Sequence, residues 1–143
     1  MRINLQFPTG NTFSCQIPIR ITDINYGGHL ANDRYLALAH EARIAWLAHH
    51  HYTEMNIEGL GLIMADSAIQ YLAEAFYGDT LTIQISASDP SRSSFQLYYK
   101  LSTIRHQQPI DIAIIKTGMV FFNYQTRKTS SIPPPFLQRI FTD

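Results

Sequence analysis

The stretch Asp23-Ile-Asn-Tyr-Gly-Gly-His-Leu-Ala-Asn-Asp-Arg-Tyr-Leu-Ala-Leu-Ala-His-Glu-Ala-Arg-Ile-Ala-Trp-Leu47 decides the fold, because polar, glycine and histidine residues crowd there against a helix start. Ile17, Ile19 and Ile21 just before it alternate as strand residues do, and Asn25-Tyr26-Gly27-Gly28 makes a turn. Asn32 or Asp33 then offers a side-chain oxygen to cap a helix. Tyr35, Leu38, Ala42 and Ala45, with Leu36, Ala39, Arg43, Trp46 and Leu47 beside them, keep helical spacing, so a helix is expected over Asn32–His49. A strand therefore delivers a polar turn to a helix N-terminus. Such an end carries unpaired N–H groups and a partial positive charge, and can hold an anion or an oxygen that becomes one during a reaction.

Before this stretch, the alternation of Ile3, Leu5 and Phe7 ahead of the Phe7–Gly10 turn fits an edge strand or a loose arm. From Thr12 to Thr22, Phe13, Cys15, Ile17, Ile19 and Ile21 share a face, and Pro18 places that strand at an edge or a bulge. The apolar positions of the helix are numerous enough to expect cover on most sides. After it, a short helical turn is expected at Thr53–Glu58 and a strand at Leu62–Tyr71. Leu81, Ile83 and Ile85 then alternate with Thr80, Thr82, Gln84 and Ser86; Phe95, Leu97, Tyr99 and Leu101 repeat the pattern from Ser94; Ile112–Phe122 forms a last long strand after a Gln107-Gln108-Pro109 connection. Short turns between such strands imply an antiparallel meander. Pro133-Pro134-Pro135 should stop regular structure, leaving Phe136–Phe141 as a short terminal helix. The class is α+β: one long central helix wrapped by an antiparallel five-stranded sheet.

At 143 residues the chain reads as a single domain. Eleven acidic and eleven basic residues balance, which gives no electrostatic hold on nucleic acid or an anionic membrane. One cysteine, Cys15, allows no internal disulfide, and no Cys/His spacing suits zinc. His49-His50-His51 reads as the last helical turn, where positive charge is favoured, rather than as a metal site. No apolar run approaches the roughly 18 residues of a membrane span, and no signal-peptide core opens the chain. A soluble, cytoplasmic protein without metal or cofactor is expected.

The order of elements and the loop residues together resemble the hotdog fold, and in particular the 4-hydroxybenzoyl-CoA thioesterase family of acyl-CoA thioesterases. Gly28-His29-Leu30 with Asn32, Tyr35-Leu36 and Glu41-Ala42-Arg43 follow the family's Gly-His-Val-x-Asn-x-x-Tyr-Leu and Glu-x-Arg patterns. Ile69-Gln70-Tyr71 before Tyr77-Gly78-Asp79, and Arg92-Ser93-Ser94-Phe95, match in the same order. The resemblance runs from about Ile17 to Phe122. It implies hydrolysis of a fatty or aromatic acyl-CoA thioester without a metal, at a site built between two subunits of a homodimer or homotetramer.

The resemblance also implies roles. Three residues before the Gly of Gly-His the family carries an aspartate that is nucleophile or general base; here that position is Asn25, which has no charge to offer. The missing base is sought in Asp23, which two-residue spacing places on Asn25's side of a strand, in Glu41 on the helix, or in His29, a residue type whose ordinary pKa near 6.5 suits a base. The oxyanion donor becomes the backbone N–H of Asn32, with Gly27 and Gly28 leaving room for substrate. Arg92, Ser93 and Ser94 would hold phosphates of CoA, and Tyr35, Leu38, Ile63 and Tyr71 the acyl group. A second reading keeps the fold and drops the chemistry: a weak or inactive hotdog protein that binds acyl-CoA or acyl-carrier thioesters.

Overall fold

A computed structural model describes residues 2–142. Five long strands form one antiparallel sheet: β1 (Phe13–Pro18), β2 (Gly61–Tyr71), β3 (Thr80–Ser88), β4 (Ser94–Arg105) and β5 (Gln108–Asn123). They lie in the order β1-β3-β4-β5-β2, and a two-residue strand, β6 (Lys128–Thr129), adds to β5 as the sixth. The long helix α1 (Tyr35–His49) follows a 3₁₀ turn at Asn32–Arg34, and α2 (Pro134–Phe141) closes the chain.

Period-two patterning sets the sheet. Leu81, Ile83 and Ile85 of β3, Phe95, Leu97, Tyr99 and Leu101 of β4, and Ala113, Ile115, Met119 and Phe121 of β5 all turn to one buried face. Ile83 lies opposite Leu101, and Tyr99 opposite Ile115, so the apolar side chains of neighbouring strands meet. Pro18 ends β1 opposite Thr80 on an edge of the sheet, where a missing N–H costs no ladder bond. The β4–β5 turn falls on His106 and Gln107, both at positive φ (50° and 66°), the backbone of a tight two-residue hairpin. It comes one residue before the expected connection, and Pro109 is taken into β5 opposite Ile104.

α1 lays Tyr35, Leu38, Ala39, Ala42, Arg43, Trp46 and Leu47 against this face. Ala39 and Ala42 are fully buried and let the helix approach the sheet closely. The opposite side of the helix, with Ala37, His40, Glu41, Ile44 and Ala48, is exposed, so α1 is covered on one side and not on most. Its end is a Schellman turn: Tyr52 N–H reaches Leu47 O at 2.8 Å and His51 N–H reaches Ala48 O at 2.9 Å, with His51 at φ 65°. The histidine run is thereby the helix terminus and the residue beyond it.

Other expectations shift. Ile21–Asp23 is a 3₁₀ turn and leaves Ile21 two-thirds exposed, so the first strand stops at Pro18. Thr53–Glu58 is a pair of bridged turns instead of a helical one. Residues 2–10 hold no strand; Leu5 N–H donates to the Gln70 side chain. The proline run starts regular structure instead of stopping it, because Pro134 and Pro135 occupy the first helical positions of α2, where no N–H is needed. That helix inserts Phe136 among Trp46, Phe95 and Phe121, with ring centroids at 6.3, 5.4 and 5.0 Å. Burying such a ring is worth about 2 kcal/mol.

Candidate active site

Between β1 and α1 the chain is folded by side-chain capping of its own turns. The Asp23 carboxylate accepts from Arg20 N–H at 2.9 Å and from Arg34 Nε at 3.3 Å, and its carbonyl accepts Ala31 N–H at 2.9 Å. Asp23 is 1% exposed. The 3₁₀ turn breaks the strand geometry that would have set Asp23 beside Asn25, so its carboxylate points into the loop base and away from the cavity described below. Two residues on, Asn25 N–H binds His29 O at 3.0 Å and Gly28 N–H binds Asn25 O at 3.1 Å. Asn25 Oδ1 accepts Gly27 N–H at 2.9 Å, closing an Asx turn, with His29 N–H at 3.4 Å. Gly28 sits at φ 87°, a conformation that disfavours any side chain.

The helix start is uncapped. Ala31 precedes the 3₁₀ turn and has no side-chain acceptor; neither Asn32 nor Asp33 caps α1, contrary to expectation. Among the described residues, the Asn32 and Asp33 amides donate to no acceptor. Both residues line a cavity of about 730 Å³, together with Asn25, Tyr26, His29 to Ala31, Tyr35 and the segment Tyr71 to Glu74. Tyr71, the last residue of β2, donates its hydroxyl to Asn32 O at 3.1 Å and meets the Tyr35 ring edge-on at 4.9 Å. Burial, then the neighbouring Tyr71 and Glu74, push the Tyr35 phenol up, keeping it neutral. Leu30 N–H binds Ala75 O at 2.7 Å, which fixes the segment after β2 against the glycine turn. His29 Nε2 lies 3.8 Å from Glu74 Oε1.

The structure thus unites Asn25, His29, Asn32, Tyr35 and Tyr71 around one opening, with Gly28 in the adjoining turn and outside the lining. It keeps Glu41 outside: on the exposed side of α1, that carboxylate pairs with Arg20 at 2.9 Å. Leu38 is core and Ile63 lies on β2 away from the lining, so the hollow is at the helix start and not along its length. Arg92 and Ser93 line a separate hollow of about 300 Å³ with Thr129, Ser130 and Ser131. Ser94 is absent from it, its hydroxyl bonded to Ser91 Oγ at 2.7 Å. Sequence reasoning missed Tyr26, Leu72, Glu74 and the hydroxyl residues Thr129, Ser130 and Ser131 at and just after β6. Glu74 follows the Ile69-Gln70-Tyr71 match by three residues, yet only the fold brings it to His29.

A family model described as the thioesterase-like superfamily matches residues 19–140. The chain belongs to the thioesterase-like superfamily. Within it, a curated relative is 1,4-dihydroxy-2-naphthoyl-CoA hydrolase of Synechocystis, 26% identical over 128 residues that cover 87% of this chain and 91% of the relative. The crystal structure of Slr0204, a 1,4-dihydroxy-2-naphthoyl-CoA thioesterase from Synechocystis, superposes with a TM-score of 0.80 at 25% identity, over 92% of this chain and 96% of that one. A 4-hydroxybenzoyl CoA thioesterase mutant complexed with 4-hydroxybenzoyl CoA shares the fold, with a TM-score of 0.81 at 17% identity over 92% and 99% of the two chains. This thioesterase-family chain therefore has the hotdog architecture, its curled antiparallel sheet packed on one long helix. Among its described residues no helix is long and apolar enough to cross a membrane.

Proposed function

We propose that the protein hydrolyses the thioester of an aromatic acyl-CoA, and does so as a homodimer whose sites draw on both subunits. The observation that carries this reading is the uncapped helix start, where the Asn32 and Asp33 amides have no described acceptor and both residues line an open cavity. A thioester carbonyl placed there gains hydrogen bonding and the helix field as its oxygen becomes negative, about 3 kcal/mol per donor. Asn25 holds the turn through Oδ1 and can offer its amide N–H to the thioester, but no negative charge. Tyr26, Tyr35, Tyr71 and Leu72 give the cavity flat apolar walls that suit a ring. The Synechocystis hydrolase with which this chain is 26% identical acts on a naphthoyl-CoA.

The dimer reading is supported by where the phosphate-type hollow lies. Arg92 and Ser93 sit at the Gly61 end of β2, since Ser94 faces Val120 and Gly61 faces Phe122, whereas the cavity is at the Tyr71 end. Ten strand steps separate those ends, about 33 Å at 3.3 Å per residue. Among the described residues no strand pairs with the outer edge of β2, and Met64, Tyr71 and Leu72 are exposed along or just past it. Pairing two β2 edges antiparallel about their midpoint sets Arg92 of the partner subunit at the cavity end, in place for CoA phosphates.

The test is thiol release from benzoyl-CoA, 1,4-dihydroxy-2-naphthoyl-CoA and palmitoyl-CoA. Higher kcat/KM for the two aromatic thioesters is expected, and a preference for palmitoyl-CoA would overturn the aromatic assignment. Thermal stabilisation by these thioesters with no release of CoA would favour the binding-only reading, which Asn25 alone recommends.

A further inference from the structure

We infer that His29 and Glu74 work as a pair in this site, with His29 as the base that activates water and Glu74 as the residue that balances its charge. The inference rests on the hydrolase reading above and supplies the group that Asn25 cannot. Two carboxylates line the cavity, Asp33 and Glu74, and it is Glu74 that faces an imidazole, with Oε1 3.8 Å from His29 Nε2. That separation is an ion-pair distance and too long for a hydrogen bond, so the carboxylate acts on the ring through its charge.

Three contacts fix the pair. Leu30 N–H to Ala75 O ties the residue after His29 to the residue after Glu74. Arg105 Nη2 donates to Glu74 O and to Asp79 Oδ2, both at 2.7 Å, and its guanidinium stacks over Phe76 at 5.0 Å. The His29 ring in turn meets Phe76 edge-on at 6.4 Å. The main chain at Glu74 is therefore held from both sides while its side chain, 65% exposed, reaches the cavity. A β-carbon built on Gly27 would lie 3.2 Å from Asn25 Oδ1 and 3.4 Å from His29 Nε2, so amide and imidazole converge over one bare backbone position.

In the step this arrangement supports, a water oxygen attacks the thioester carbon while His29 takes one water proton. The carbonyl π pair moves to oxygen, facing the Asn32 amide. Collapse reforms the carbonyl and breaks the C–S bond, and the imidazolium returns its proton to the departing CoA sulfur. The products are the free acid and the CoA thiol. The Glu74 carboxylate favours the transient imidazolium by charge.

Thiol release from benzoyl-CoA by the full chain, His29→Ala, Glu74→Gln, Glu74→Asp and the double variant His29→Ala/Glu74→Gln tests the pair. His29→Ala should lower kcat about 100-fold with KM kept, and added imidazole should restore part of it. Glu74→Gln should lower kcat about tenfold, Glu74→Asp less, and Glu74→Gln should cost nothing further once His29 is gone. Turnover by the unaltered chain with Glu74→Gln fully active, or with the two losses multiplying, would overturn the pair and leave the hydrolase reading standing. Absence of turnover in the unaltered chain would overturn both.

Discussion

Two polar constellations sit on the same helix and differ in how far their hydrogen-bonding capacity is used. Midway along α1, Arg43 is buried: its Nε donates to Glu54 Oε2 at 2.7 Å and its Nη1 to the Tyr99 hydroxyl at 2.9 Å, and Tyr99 is in turn 2.8 Å from Thr117 Oγ1. His40 Nε2 lies 2.7 Å from the other Glu54 oxygen. Three turns of chain earlier, the Asn32 and Asp33 amides donate to nothing described, and the His29 ring stands off its carboxylate. The first group is a closed network that locks helix, sheet and the loop after the helix. The second is left open, which costs stability and keeps groups free for a ligand. Residue type does not separate the two; the extent of pairing does.

The contrast can be broken most severely at Arg43. Arg43→Ala leaves Glu54 and Tyr99 short of a buried partner and should cost about 3 kcal/mol, read as a lower urea midpoint. A loss under about 1 kcal/mol would mean that the network is no more structural than the helix start.

A second, smaller effect is in acid. Burial alone would raise the Glu54 carboxyl, but hydrogen bonds from Arg43 and His40 outweigh it and hold the group below its ordinary 4.5. The folded chain thus takes up this proton less readily than the unfolded one. The stabilising contribution is present above pH 4.5 and is lost as pH falls through and below that value. Denaturation curves from pH 7 to 3 should show Glu54→Gln losing stability less steeply than the unaltered chain; parallel slopes would refute the assignment.

The smallest effect on folding is expected at the open end. Gly27 has no positive φ, so Gly27→Ala strains no backbone and should change stability by less than about 0.5 kcal/mol. The new methyl would nevertheless press between Asn25 Oδ1 and His29 Nε2. Thiol release should fall about tenfold, a change in geometry of the kind that positioned groups do not tolerate. Equal loss of stability and activity would show the turn to be structural like Arg43.

These contrasts also explain what could be read in advance. The meander was legible because β3, β4 and β5 alternate cleanly, and the edge position of β1 because Pro18 cannot donate. Asp23 was misread because a 3₁₀ turn, which carries no two-residue periodicity, intervenes before Asn25. Glu41 was misplaced because helical spacing defines a face without saying that Arg20 waits beside it. Ser94 looked equivalent to Ser93 until its pairing with Ser91 turned it aside. Glu74 could not be found from pattern at all, because its meeting with His29 depends on β2 carrying the chain back to the helix start.

The position of Trp46 has a practical outcome for following this molecule in solution. It is the sole tryptophan, its ring lies 5.8 Å from His50 and 6.3 Å from Phe136, and it sits near the end of α1 remote from the cavity. Its emission therefore reports on whether the C-terminal helix is docked. One fluorophore, excited selectively, follows unfolding at this end of the molecule without any label being introduced.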